Sequence, residues 1–257
     1  MTDDTWAPLA DQFLDGHYGS LRGRVRTHVI DRHLHEHLPP SPARLVDVGG
    51  GAGHQSLPLA REGYEVTIVD PSPTMLERAE ALLGKESAEV ARRVQLVQAS
   101  AEEAPGVLGD GRYAGVLCHG VIMYVDDPRP FVAALADLAQ PGAVVSLVAK
   151  NADNLAVRPA LEGNWAEALV SFDAARQING LGVDTRGDSL EGLTQMLADV
   201  GVERVAWYGV RLFTDGWAPN RPANDPESTV LAVELEASRR DPYRLMSRLF
   251  HLVGVRH

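Results

Sequence analysis

The residues of this chain best spaced for chemistry are an aspartate and three glycines set two apart, Asp47, Gly49, Gly51 and Gly53, at the end of the apolar run Leu45, Val46, Val48. A buried strand that runs into such a loop lets the backbone turn sharply and approach a ligand with no Cβ in the way, as in a phosphate- or nucleotide-binding turn. The G-x-G-x-x-G/A frame of a dinucleotide fingerprint does not fit. Counted from Gly49 its last place falls on His54, and counted from Gly51 on Ser56. The frame that fits without a gap is D-x-G-x-G-x-G, and a purely structural glycine turn is the competing reading. Asp70 closes the next β-branched run, YEVTIVD. A carboxylate there can accept from both hydroxyls of a ribose, whereas the following Pro71 and Ser72 would equally suit a helix N-cap. Beyond a third run, Ser100 or Glu102 offers an acceptor for an adenine amino group, and His119 stands at the tip of a fourth.

These residues need strands to carry them, and the pattern supplies them. Strand and helix alternate five times between Arg44 and Asn151, which implies a parallel sheet. Before it, Leu21, Val25, Val29 and His33 recur at helical spacing and Pro39–Pro40 stops the run, so residues 1–40 read as a helical cap on a core spanning 43–151. Residues 152–186 break the alternation without a strand pattern and read as an insertion over the crevice, where substrate choice belongs. Residues 187–257 add helix, strand, helix and final strand, completing a single domain.

The net charge of −11 argues against a broad basic face for nucleic acid, although Arg22, Arg24, Arg26, Arg32 and Arg44 cluster near one end and Arg239, Arg240, Arg244, Arg248 and Arg256 near the other. If the two ends lie side by side they form a cationic rim; otherwise they are solvated helix faces. No apolar run is long enough to span a bilayer and MTDDTWAPLADQ has neither basic flank nor apolar core, so a cytoplasmic protein with no membrane partner is expected, its oligomeric state open. The single cysteine, Cys118, excludes an internal disulfide and sits in an apolar run, as a buried thiol would. His17, His28, His33, His35 and His37 crowd one stretch. No carboxylate and third ligand follow them at a zincin-like spacing, and no metal is expected.

The Asp47–Gly53 frame resembles the first motif of class I S-adenosylmethionine (AdoMet) methyltransferases. A wider set, YGSLRGRVR, LVDVGGGAG, LCHGV, KNADNL with EGNW, GVRLF and DPYRLMSRLFHLV, resembles the tRNA 5-carboxymethoxyuridine methyltransferase family from residue 18 to the last strand. The resemblance implies an α/β fold, a Rossmann-like doubly wound seven-stranded sheet, mostly parallel with an antiparallel last strand. It also implies AdoMet as cofactor, met by Arg26, the loop residues Gly50 and Gly51, Asp70, the pair Ala101 and Glu102, and His119; Asp47 and Gly49 of the same loop frame are expected on the cofactor side with them. Where the family usually has Gln beside that alanine, this chain has Glu102.

On the residues alone, Arg26 is either a planar clamp for a carboxylate or a surface helix residue. His119 either contacts the sulfonium region, acts as a general base, or is simply packed. Tyr18, Asn151, Arg158, Trp165 and Arg211 fall on the substrate side by location. A methyl on a cationic sulfur is already activated, so orientation is the main task and supplies on the order of 7–11 kcal/mol. For a carboxylate acceptor, an orienting Arg211 matters more than a base; for a phenol, hydroxyl or amine, His119 gains the catalytic role. Three functions remain open: a tRNA wobble-uridine carboxyl methyltransferase, an O- or N-methyltransferase of small metabolites, and a non-catalytic cofactor-binding module.

Overall fold

A computed structural model describes residues 4, 6–14, 18–109, 112–217 and 224–257, with the side chain of Phe13 excepted; His17 lies outside the described residues. Helix α1 (Ala10–Phe13) precedes α2 (Leu21–Leu34), which starts where Ser20 Oγ accepts from Gly23 N. The alternating core follows as β1 (Arg44–Val48), α3 (Ser56–Arg61), β2 (Glu65–Asp70), α4 (Pro73–Leu83), α5 (Ala88–Ala91), β3 (Val94–Gln98), α6 (Ala104–Leu108), β4 (Tyr113–His119), α7 (Pro128–Leu138) and β5 (Ala139–Lys150). Then come α8 (Val157–Leu161), α9 (Trp165–Ser171), the short β6 (Arg176–Ile178) and β7 (Asp184–Arg186), α10 (Leu190–Asp199), β8 (Val202–Val210), α11 (Glu227–Ala237) and β9 (Leu249–Arg256).

Seven strands form one sheet in the order β3-β2-β1-β4-β5-β9-β8, the expected doubly wound arrangement. β1 to β5 run parallel to one another, and the last strand, β9, is antiparallel to both β5 and β8. Because side chains alternate along a strand, the sheet buries two different layers. Val46 and Val48 join Val116, Leu135, Leu147 and Leu252 on one side, while Leu45 joins Leu59, Ile68, Leu117, Val148 and α2 on the other.

In the N-terminal helical part, Val25, Val29, Ile30 and Leu34 of α2 are fully buried, because their spacing makes a continuous apolar stripe that packs on the sheet. One expectation needs correction. The stretch 152–186 does contain strands. Its β6–β7 hairpin turns at Asn179–Gly180, where Asn179 Oδ1 accepts from Leu181 N and Val183 N, an Asn-Gly signal that is readable in sequence but flanked by strands too short to show periodicity. Among the described residues no helix is long and apolar enough to cross a membrane.

Candidate active site

The sheet order reverses between β1 and β4, and the crevice beyond their carboxyl ends is where a doubly wound sheet takes its ligand. The β1 loop is shaped by register. Val48 pairs with Val69, so Gly49 N and Gly50 N both donate to Val69 O and the loop folds back over the end of β2. Gly49 has φ +71°, and a Cβ there would stand 2.4 Å from Val121 Cγ2; Gly51 has φ +54° and borders Met75 and Asp70. Side chains larger than hydrogen would close the cradle at both places.

Asp47 does not line this crevice. Its buried carboxylate accepts from Ser56 Oγ at 2.6 Å and lies behind Gly50, so it braces the loop from inside the core. Burial pushes its pKa up to about 6, against the pull of Ser56 and Arg26. Asp70 does line the crevice: Oδ2 accepts from Gly51 N and Oδ1 from Ser72 N, each at 2.9 Å, leaving a lone pair on each oxygen. The N-cap of α4 is Ser72, whose Oγ accepts from Met75 N, so Asp70 is spared that duty.

Burial raises Asp70 to about 6 as well. A carboxyl raised above its unfolded value favours folding below the unfolded pKa and loses that contribution as pH rises through 6, whereas a ribose diol is best held by the ionised form. AdoMet affinity is therefore expected to weaken as pH falls from 7 to 5. Asp70→Asn should bind weakly with a flatter profile in calorimetric titrations, and an unchanged profile would remove Asp70 from the ribose.

The cleft of about 240 Å³ is lined by Gly49–Ala52, Asp70, Ala101, Glu102, His119 and Tyr18, together with Trp6 and Tyr124, which the sequence did not single out. Ser100 and Glu103 form a reciprocal cap, with Glu103 Oε2 accepting from Ser100 N and Ser100 Oγ from Glu103 N, which leaves Glu102 facing the cleft. Tyr18 stacks on His54 with ring centroids 3.9 Å apart, and Trp6 meets Tyr124 edge-on at 5.2 Å. Burial pushes the Tyr124 hydroxyl up to about 12, and it accepts from Asn179 Nδ2 on the hairpin.

Arg26 lies behind the cleft residues His119 and Tyr18, 4% exposed, its Nη2 donating to His119 O at 2.7 Å and its guanidinium 5.9 Å from the Tyr18 ring centroid. Its Nη1 is buried with no partner. A positive fork with one arm unsatisfied, beside glycines that expose backbone amides, fits the carboxylate end of an amino acid. His119 donates or accepts through Nε2 at Ser146 Oγ, 2.8 Å away, and its Nδ1 is also buried and unpartnered. Burial, then His251 and Arg26, hold its pKa well below the usual histidine range, so the ring is neutral.

His119, Gly120 and Tyr124 also border a second cavity of about 340 Å³, which Arg26 lines too. Arg22, Arg158, Arg211, Arg248 and Lys150 converge on it, bringing the two basic ends of the sequence into one place. Arg211 pairs with Asp215 at 2.5 Å and Arg158 with Glu162 at 2.9 Å, while Arg211 Nε and Arg248 Nη1 are buried without partners. Lys150 donates to Thr185 Oγ1, and burial followed by Arg248 lowers it to about 7. The remaining basic residues go elsewhere, Arg24 to Glu227 and Arg239 to Glu36.

Two proposed substrate residues fall outside both cavities. Asn151 is buried and donates to the carbonyls of Leu245 and Ser247, tying β5 to the segment before β9, and Trp165 is 71% exposed on α9. Of the clustered histidines, His37 meets Tyr208 Oη and His33 is buried among other rings. Among the described residues Asp31, His35 and Glu62 lie close enough to share an ion, and they bond to one another at the surface.

Residues 46–147 match the family model described as a methyltransferase domain. The tRNA 5-carboxymethoxyuridine methyltransferase of Escherichia coli (strain K12) is 27% identical over 99% of this chain and 97% of its own length. The ubiquinone biosynthesis O-methyltransferase of Xanthomonas axonopodis pv. citri (strain 306) is 30% identical over 58% of this chain and 60% of its length. Magnesium protoporphyrin IX methyltransferase from Synechocystis PCC 6803, solved with bound SAH, has a TM-score of 0.65 at 16% identity, covering 99% of this chain and 97% of that one. With the glycine loop and Asp70 set at the switch point of such a sheet, residues 46–147 carry a methyltransferase domain, and the whole chain shares the fold of S-adenosylmethionine-dependent methyltransferases.

Proposed function

We propose that the chain transfers the methyl group of AdoMet to a carboxylate oxygen, and that the carboxylate belongs to a modified wobble uridine in tRNA. The observation that carries this reading is the second cavity, where Arg22, Arg26, Lys150, Arg158, Arg211 and Arg248 surround a space that meets the cofactor cleft at His119 and Gly120. Asp215 and Glu162 offset part of that charge, and the unpartnered Arg211 Nε and Arg248 Nη1 suit an incoming anion. A carboxylate oxygen is nucleophilic at neutral pH. Its lone pair forms the new O–CH3 bond as the S–CH3 bond breaks and the sulfonium becomes a neutral thioether, so no proton is removed. A neutral His119 is compatible with this chemistry, because the step needs alignment and not a base. AdoMet supplies the activated methyl; Arg26 and Asp70 hold its two ends, and the arginines orient the acceptor.

The RNA assignment draws on the E. coli relative, matched along nearly the whole chain. A small anionic metabolite is the second reading, favoured by the chain's net charge of −11. Labelled AdoMet incubated with cell extract, before and after nuclease, separates them. Label that is sensitive to nuclease and released by mild alkali is expected, as from a methyl ester on RNA. Alkali-labile label that survives nuclease points to a small carboxylate, and alkali-stable label overturns the carboxylate acceptor.

A further inference from the structure

Behind His119 the fold buries a row of polar side chains that the methyl transfer itself does not use. His119 Nε2 lies 2.8 Å from Ser146 Oγ, which lies 2.6 Å from His251 Nε2; His251 Nδ1 lies 3.2 Å from His33 Nδ1, and His33 Nε2 lies 2.9 Å from Ser238 Oγ. Ser238 ends the row by donating to Leu235 O at 2.6 Å. Ser146, His251 and His33 have no exposure and Ser238 3%. The row crosses the sheet from β4 through β5 and β9 to α2 and the end of α11, and the His33 ring is pinned by stacking on Tyr208 at 3.8 Å.

Its direction follows from counting protons. Burial pushes His33, His251 and His119 down, His251 to about 3, so each ring carries one N–H. A carbonyl only accepts, so the single Ser238 hydroxyl proton goes to Leu235 and Ser238 Oγ must accept from His33 Nε2–H. His33 Nδ1 is then bare and accepts from His251 Nδ1–H. That leaves His251 Nε2 to accept from Ser146, and Ser146 Oγ to accept from His119 Nε2–H. His119 Nδ1 is the remaining position and has no proton. The other end agrees: Nδ1 is buried without a partner, and the positive charge of Arg26 acting on the ring favours a lone pair over an added proton.

We propose that Ser146, His251, His33 and Ser238 are positioning residues that fix His119 in its Nε2–H tautomer, so that a bare Nδ1 accepts a hydrogen bond from the ammonium group of bound AdoMet. The inference rests on cofactor binding alone and stands or falls apart from the carboxylate reading. Histidine nitrogen NMR on the full chain tests it, with AdoMet affinity from calorimetry. His119 is expected to show a protonated Nε2 and an unprotonated Nδ1. Ser146→Ala should mix the two tautomers of His119 and raise the AdoMet Kd about tenfold, the ratio that one ordinary buried hydrogen bond gives, and Ser146→Thr should restore both. Ser238→Ala, at the far end of the row, should shift the tautomer ratio in the same direction. A wild-type His119 protonated on Nδ1 overturns the proposal whether or not a variant folds. So does a Ser146→Ala protein in which tautomer and affinity do not change together, because a merely structural serine would lower affinity without moving the proton.

Discussion

Replacing Arg26 by lysine should leave a folded protein whose AdoMet affinity is lower by roughly a hundredfold, read by calorimetry at neutral pH. The figure follows from two charge-assisted hydrogen bonds at about 1.5–3 kcal/mol each, of which a lysine can remake at most one. One arm of Arg26 holds the His119 carbonyl and the other is buried and unsatisfied, so on the proposed reading the residue would join the end of β4 to the amino-acid end of the cofactor. A lysine offers a point charge in place of a fork, and it would have to leave either the carbonyl or the ligand. Thermal unfolding of the free protein should change little, since His119 O can be hydrated once the cleft is open. An affinity within threefold of the parent would remove Arg26 from the cofactor carboxylate.

The acceptor side gives the second large effect. Arg248→Met is expected to lower kcat/KM for the acceptor by about 10²–10³, the usual loss when one member of a desolvated charge pair is deleted, with AdoMet affinity unchanged. Arg248 is 8% exposed, donates through Nη2 to Gln177 Oε1 and has Nη1 unpartnered. Burial lowers its pKa, and Arg211 and Arg158 add repulsion that Asp215 partly offsets. Methionine keeps most of the volume and removes a buried cation, so the free protein should melt no earlier than the parent. Arg211 is a poorer probe. Its removal strands the buried carboxylate of Asp215, and a loss of turnover would then mix with a loss of stability. Full turnover in Arg248→Met would place the acceptor's charge elsewhere.

The parts of this molecule that were legible in sequence are those encoded locally. Apolar runs ending in Asp47–Gly53, Asp70 and His119 marked three strand tips, and five alternations made the sheet parallel. Gly49, Gly50, Gly51, Asp70, Ala101, Glu102 and His119 line one cleft because a strand tip in such a sheet has little freedom of place. The arginine-lined cavity is less legible. Arg22, Lys150 and Arg248 come from α2, β5 and β9, and nothing near any of them announces that α2 crosses the end of β9. Asn151 and Trp165 were singled out for lying after β5, yet one is taken up by backbone carbonyls and the other points to solvent. His33 looked like one member of a histidine cluster along the chain. Its partners are His251 and Ser238, more than two hundred residues away, and pairing over that distance leaves no trace in local periodicity.

The place of β9 has a consequence for how the chain is made. Both neighbours of this strand, β5 and β8, precede it in the sequence, and each finds its hydrogen-bond partner on that side in Leu249–Arg256. During synthesis from the N-terminus the sheet therefore stays split, with β5 presenting an open edge while the 98 residues from 151 to 248 are added. Closure is an all-or-none event reserved for the final strand, which brings His251 and the adjoining Arg248 into position together. The nascent protein thus completes its arginine-lined cavity only when its sheet is sealed, and a ribosome-bound chain lacking that strand is left with an edge suited to pairing with a neighbour.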